Sequence, residues 1–321
     1  MAMTADTAAS AGTDAACRDP ILVTGTHRSG TTWVGHVLAG AAGVGYISEP
    51  FSKLHRPGIL AASFDRWYPY IRGDTTGTLT PQITRMLEFR YGYGAELASL
   101  RSPRDIGRMA HDALRCRNLR SASARPLIKD PLALLAAPWL AQAFGMRVVV
   151  LIRHPAAFAS SLKRMDWTHP FEDFFQPGLL EGPLAPFAAE IELFAREPQP
   201  IVAQAALLWV ALNHVVLGYR DAHPDWLYVR HEDLSLAPEE RFREVCAHTA
   251  VPFDTGIRRY LADSTASDNP AEARPGQAHQ LKRDSGANVR GWATRLTAAE
   301  IDLVRERTAT VASHFYTDAD W

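Results

Sequence analysis

The residues best suited to chemistry lie near the start of the sequence, in Gly25-Thr26-His27-Arg28-Ser29-Gly30-Thr31-Thr32. Two glycines with four residues between them bracket a loop small enough for backbone N–H groups to turn toward an anion. The helix expected to follow adds the partial positive charge of its first turn. A nucleotide-hydrolysing loop of this spacing carries Lys before its last Ser or Thr. Position 31 here is Thr, and the cation sits inside the loop as Arg28. From there a guanidinium can reach the bridging oxygen between a phosphate and its leaving partner. Thr31 and Thr32 add hydroxyl donors, and His27, Ser29 and Gly30 complete the cradle.

A second anion site is expected at Arg153 and Ser161, eight residues apart. Arg153 ends an apolar run. Ser161 falls about two turns into a helix that starts at Pro155, where proline is favoured. Arg supplies a forked, charged donor and Ser a short directional one. A metal-dependent nucleotidase often places an Asp at the end of such a strand; Arg suits an additional phosphate better.

These residues need elements to hold them. Residues 20–24 read as a buried strand, 31–41 as helix, Val44 to Ile47 as a second strand and Pro126 to Lys129 as a third. Met146 to Ile152 is a continuous β-branched run, the mark of a strand covered on both faces. Trp226 to Val229 is the last strand. Helices are expected at 81–90, 103–117, 132–143, 187–195, 201–221 and Pro238 to Thr249, and from Leu296 to Val311. Thr297 and Glu300 have capping-box spacing for that last helix. Residues 51–85, 165–186 and 264–288 read as loops. Strands alternating with helices predict an α/β fold, P-loop-like and three-layered, with a central mostly parallel sheet flanked by helices.

The 321 residues, 47% hydrophobic, suffice for one large core. Residues 1–19 read as a disordered leader without secretory character, and 20–321 as a single domain. A net charge of −1 gives no general field for nucleic acid. Three distant cysteines, Cys17, Cys116 and Cys246, suggest neither a disulfide framework nor a metal site and fit a reducing, cytoplasmic setting. Ile201 to Tyr219 is long enough to span a membrane, but its helical apolar spacing reads as a core helix. No metal ligand set is expected. The Ala- and Arg-rich composition suggests a bacterial source.

Together the two anion sites resemble the sulfotransferases that use 3′-phosphoadenosine 5′-phosphosulfate (PAPS). Arg28-Ser29-Gly30-Thr31-Thr32-Trp33 is similar to the family loop that binds the 5′-phosphosulfate. Arg153 with Ser161 is similar to its 3′-phosphate site. Tyr228 to Leu234 resembles a family strand end. Arg290-Gly291-Trp292 resembles the C-terminal segment that closes over the 3′-phosphate. Arg28 followed by Ser48-Glu49-Pro50 looks like the carbohydrate-type and bacterial branch. The cytosolic phenol and steroid enzymes carry a K-T-H motif with a catalytic His; the corresponding stretch here is Lys129-Asp130-Pro131, without that His.

The resemblance implies sulfuryl transfer from PAPS, without metal, to a small-molecule or glycan acceptor. Glu49 is then the expected base, with Asp130 in reserve. Lys129 is expected to neutralise a sulfuryl oxygen, and Arg290, or Arg283 in the same C-terminal stretch, to contact the nucleotide. The aromatic and acidic stretch Asp166 to Phe175 reads as a loop packed by its own side chains. Trp33 reads as core. Two rival readings are an ATP-dependent kinase or NTPase, with Asp233 imitating a Mg²⁺ ligand, and a non-catalytic nucleotide-binding module.

Overall fold

The computed structural model describes residues 19–265 and 289–321. The expected leader, apart from Asp19, and nearly all of the loop expected at 264–288 lie outside the described residues. Five strands, β1 (Ile21–Gly25), β2 (Val44–Ser48), β3 (Arg125–Lys129), β4 (Arg147–Ile152) and β5 (Leu227–Arg230), form one sheet in the order β2-β3-β1-β4-β5. Every pairing is parallel, with Ile21 opposite Leu127 on one side and Arg147 on the other.

The sheet separates two cores. Strand side chains alternate between its faces, so Leu22, Ile128, Val148 and Val150 enter one core, while Ile21, Leu127, Val149 and Leu151 enter the other. Covering both faces is what lets β1 and β4 be apolar along most of their length. The second core takes α1 (Thr31–Ala39), with Trp33, Val34, Val37 and Leu38 buried. The helices that follow are α2 (Leu79–Leu87), α3 (Tyr93–Ser99), α4 (Pro103–Ser121), α5 (Ala137–Phe144), α6 (Pro155–Met165), α7 (Ala188–Arg196) and α8 (Ile201–Ala222). Then come α9 (His231–Leu236), α10 (Pro238–Thr249), α11 (Thr255–Thr265) and α12 (Ala298–Ala312). Helices α6, α8 and α12 pack together on the first core, and α10 and α11 join α1 on the second. The result is a P-loop-like, three-layer α/β fold.

Helix α8 is the one helix among the described residues long and apolar enough to cross a membrane, yet 72% of its apolar window is buried inside the protein. It is a core helix. Its fully buried Trp209 donates from Nε1 to the Arg153 carbonyl at 2.7 Å, which clamps the end of β4. Helix α12 begins with the expected capping box between Thr297 and Glu300.

Several boundaries differ from expectation. Residues 131–136 form a 3₁₀ turn before α5, because Asp130 caps it and accepts from the Leu132 N–H. Helices α3, α9 and α11 were not expected. The first two are only seven and six residues long, too short to show a helical period of their own. Helix α11 is longer and amphipathic, burying Ile257, Leu261 and Ser264, and Asp254 caps it at the Ile257 N–H.

Candidate active site

The carboxyl ends of the strands open into one cavity of about 750 Å³. Its wall includes His27, Arg28, Gly30, Thr31, Thr32, Glu49 and Arg153, contributed by the turns after β1, β2 and β4. This is the position at which open α/β sheets place ligands.

The loop after β1 depends on its glycines. Gly25 has φ 139°, and a Cβ there would overlap the Leu151 carbonyl, so only glycine lets β1 end against β4. Gly30 has φ 92° and precedes α1; a Cβ there would overlap the His231 ring. Between them Arg28 also has positive φ, 66°. Arg28 Nε donates to Ser161 Oγ at 3.1 Å, and Arg153 Nη1 donates to the Arg28 carbonyl at 2.7 Å. The two expected anion sites, more than a hundred residues apart in the chain, are therefore one cluster.

Not every expected residue faces the cavity. Ser29 is fully buried; its hydroxyl bonds to Thr26 Oγ1 and its N–H to the Thr26 carbonyl, so the loop closes on itself. Ser161 is 4% exposed and meets the site through Arg28. Arg290 is turned away, donating to the Ala319 carbonyl at 2.6 Å, and is not part of the cavity wall. The other C-terminal candidate, Arg283, lies outside the described residues. Lys129 also differs from expectation. Its side chain is 2% exposed, packed beneath α1 against Gly35, and its ammonium pairs with Glu49. It is a buried counter-ion for that carboxylate, because β3 lies one strand in from the edge and α1 covers it.

Glu49 sits on a pinned turn. Its N–H donates to the Lys129 carbonyl at 2.9 Å, and its φ of 46° turns the chain sharply after β2. Asp130 holds the other side, accepting from the N–H groups of Phe51 at 2.6 Å and Leu132 at 2.9 Å. Asp130 has no exposed surface, and burial pushes its pKa up to about 7. It supports the Glu49 turn and cannot meet a ligand in the cavity. Among the described residues, Glu49 is the carboxylate in the cavity wall.

His27 lines the cavity from inside the loop. Burial and the neighbouring Arg28 charge hold its pKa down at about 3, so the ring is neutral. Tyr68 Oη accepts the His27 backbone N–H at 3.1 Å and lies 2.6 Å from His27 Nδ1. Burial raises the Tyr68 pKa, so its hydroxyl keeps its proton, and Nδ1 is the acceptor in reach. The ring hydrogen of His27 is then on Nε2, the nitrogen left to donate to an anion.

Tyr68 was missed because it lies in an aperiodic stretch; its only signal was the aromatic density of Trp67-Tyr68-Pro69-Tyr70. The stretch from Asp166 divides in two. Phe171 and Phe174 are buried in the core, as expected of a self-packed loop, but Trp167 to Pro170 line the cavity. The Arg28 guanidinium lies 5.5 Å from the Trp167 ring centre, close enough for a cation–π contact. Trp33 is 8% exposed and packs edge-on against Phe242, as expected of a core residue. Asp233 is forked by Arg230, with Nη2 at 2.6 Å and Nε at 3.0 Å from its oxygens. Beside it Glu232 accepts from the His154 N–H and from the Tyr316 hydroxyl, both at 3.0 Å, tying β4 to the C-terminal segment.

The chain is similar to several known proteins. The signature of the Sulfotransferase family matches residues 20–255. Carbohydrate sulfotransferase 1 of Danio rerio is 29% identical over 108 residues, 32% of this chain and 24% of that relative; the match thus spans about a quarter of the relative's length. Among solved structures, the sulfotransferase domain from the Synechococcus PCC 7002 olefin synthase aligns at a TM-score of 0.48 with 18% identity, covering 95% of this chain and 98% of that one. The sulfotransferase domain from the curacin biosynthetic pathway gives 0.49 and 15%, covering 93% and 97%. Mouse sulfotransferase SULT7A1 complexed with PAP gives 0.43 and 14%, covering 95% and 88%.

Proposed function

From the premise that the chain belongs to the sulfotransferase family, we propose that it transfers a sulfuryl group from PAPS to an acceptor hydroxyl or amine. The products are the sulfated acceptor and adenosine 3′,5′-bisphosphate. The observation that carries the reading is the joining of the two anion sites through Arg28, bonded to Ser161 by its side chain and to Arg153 by its carbonyl. One nucleotide with phosphates at both ends suits such a cluster.

The strand order supports a division of labour. The ends of β1, β4 and β5 carry the loop, Arg153 and His231, and form the nucleotide half. The ends of β3 and β2 carry Lys129, Asp130 and Glu49, and form the acceptor half. The acceptor oxygen attacks sulfur as the bond from sulfur to the bridging phosphate oxygen breaks. Glu49 takes the acceptor proton. Arg28 and the His27 Nε2–H offset charge on the sulfuryl and leaving oxygens. Lys129 fixes the direction of the Glu49 carboxylate. The donor set is rich in N–H and O–H groups, which fits a polyanionic nucleotide. Thr31 in place of a P-loop Lys, and Asp233 already held by Arg230, weigh against a kinase.

Nucleotide titration tests this. The protein is expected to prefer adenosine 3′,5′-bisphosphate to ADP, without Mg²⁺. Arg153→Ala should weaken binding of the bisphosphate by about tenfold to a hundredfold, the loss of a charged hydrogen bond. Adenosine 5′-phosphosulfate, which lacks the 3′-phosphate, should be affected little. Equal losses for both ligands would remove Arg153 from its role, and a preference for ATP with Mg²⁺ would replace the reading with phosphoryl transfer.

A further inference from the structure

We infer that the acceptor is an uncharged molecule whose hydroxyl is carried on an apolar body, and not an anionic glycan. The inference rests on the proposed transfer reaction and concerns the half of the cavity beyond Glu49. Three observations on that half lead to it.

The first is charge. Anionic glycans are recognised by free, forked cations. Among the described residues, the cation in the wall on this half is Arg56, and it is already committed. Its guanidinium pairs with the buried Glu96 and lies 3.7 Å from Asp112. Lys53, on the same segment, pairs with Asp173 at 2.7 Å. Arg28 belongs to the nucleotide side, where its Nε donates to Ser161. Glu49 itself would repel a carboxylate or sulfate brought beside it.

The second is hydrogen bonding. A sugar needs several polar side chains with spare capacity around its ring. Several of the polar side chains on this half are turned to backbone groups or to the loop after β1; Ser48, Thr168 and His169 also line the wall. Ser52 Oγ accepts from the Leu54 N–H at 3.1 Å. Both His55 ring nitrogens lie against carbonyls, of Ser52 at 2.6 Å and of Leu60 at 2.8 Å. Tyr68 is held by His27.

The third is exposed apolar surface. Leu54 is 82% exposed and Trp167 39% exposed, and both stand in the cavity wall. Ile59, Trp67, Leu132 and Leu162 continue that wall inward. Apolar side chains grouped in a concave wall mark a binding surface, unlike isolated ones on a convex face. The same 750 Å³ must also hold the donor nucleotide, so the reacting end of the acceptor is compact.

The carbohydrate-type signature in the loop and at Glu49-Pro50 therefore describes the donor side and the base. The acceptor wall is set by other residues, from 52–68 and 162–170.

The test is an acceptor panel with PAPS: uncharged apolar alcohols and phenols, a neutral oligosaccharide, and chondroitin as an anionic glycan. Binding of adenosine 3′,5′-bisphosphate is measured in parallel. The expected result is a kcat/KM for the apolar alcohols or phenols at least about a hundredfold above that for either glycan. Leu54→Glu, at a position exposed enough to fold normally, should raise KM for the apolar acceptor about tenfold and leave bisphosphate affinity unchanged. A higher kcat/KM for chondroitin or the oligosaccharide, or an unchanged KM in Leu54→Glu, would overturn the acceptor assignment while bisphosphate binding still upheld the transfer reading. Loss of bisphosphate binding in the unaltered protein would overturn both.

Discussion

Glu49 and Lys129 meet across eighty residues of sequence, and their pairing decides what each can do. Glu49 was legible in sequence as a carboxylate at a strand end. Lys129 was legible only as a nearby cation, because a strand-end lysine reads the same whether it faces solvent or the underside of a helix. The structure buries it under α1 and makes it the partner of Glu49. Replacing Glu49 by Gln keeps the shape of the turn and removes proton acceptance. Sulfuryl transfer is expected to fall by about 10²–10⁴-fold, the range for losing a positioned base, with affinity for adenosine 3′,5′-bisphosphate unchanged. Steady-state turnover alongside nucleotide titration checks this, and near-normal turnover would reject Glu49 as the base. Tyr68 shows the limit at this scale: no pattern around it says that its hydroxyl will reach a loop 41 residues away.

Among the elements, the strands and long helices were legible because their periodicity is strong. The run Arg147–Ile152 is buried along almost its whole length, and α8 keeps its apolar spacing for 22 residues. The loop between β1 and α1 was legible for a different reason. Its glycines are demanded by geometry, and Gly25→Ala would drive a Cβ into the Leu151 carbonyl, a backbone atom that cannot rotate aside. That substitution is expected to destabilise the protein by about 3 kcal/mol, read as a lower midpoint of urea unfolding, and to abolish nucleotide binding with the loop. A midpoint within error of the unaltered protein would show that β1 and β4 can separate there at no cost. The acceptor wall was least legible, since residues 51–78 contain no regular element of their own and are ordered by contacts with Asp130, Asp173 and Gln176.

Across the whole molecule, buried ionisable groups set the response to pH. Burial holds His27, His154 and His169 each at about 3 and also lowers His36 and His248. Unfolded, these side chains protonate near 6.5. As pH falls below that value the unfolded chain takes up protons that the folded one refuses, so stability falls. Asp130, raised to about 7, and Glu232, also raised, act in the opposite sense: their contribution is complete at low pH and is lost as pH rises through the folded values. The histidines outnumber them, so Tm is expected to be lower at pH 5 than at pH 7. His154 isolates the effect. Its ring stacks on Trp292 at 5.1 Å, and both ring nitrogens are buried without a hydrogen-bond partner. His154→Phe keeps the stack and removes the titration, so it should raise Tm at pH 5 and by less at pH 8. An equal gain at both values, measured calorimetrically, would assign the effect to packing alone.

The sequence by itself determined the parallel α/β frame, the glycine-bracketed loop after β1, the Arg153 and Ser161 pair proposed to hold a phosphate, and the carboxylate at the end of β2. Each is a local pattern, written in neighbouring residues by periodicity, glycine spacing or residue type. Only the tertiary structure decided that Arg28 joins its loop to Arg153 and Ser161, that Lys129 and Asp130 are buried, that Arg290 is turned away, and that Arg56 and Lys53 are already paired. Those outcomes depend on which side chains are taken out of water and which partners they meet there, and burial is a property of the packed layers, not of any single segment.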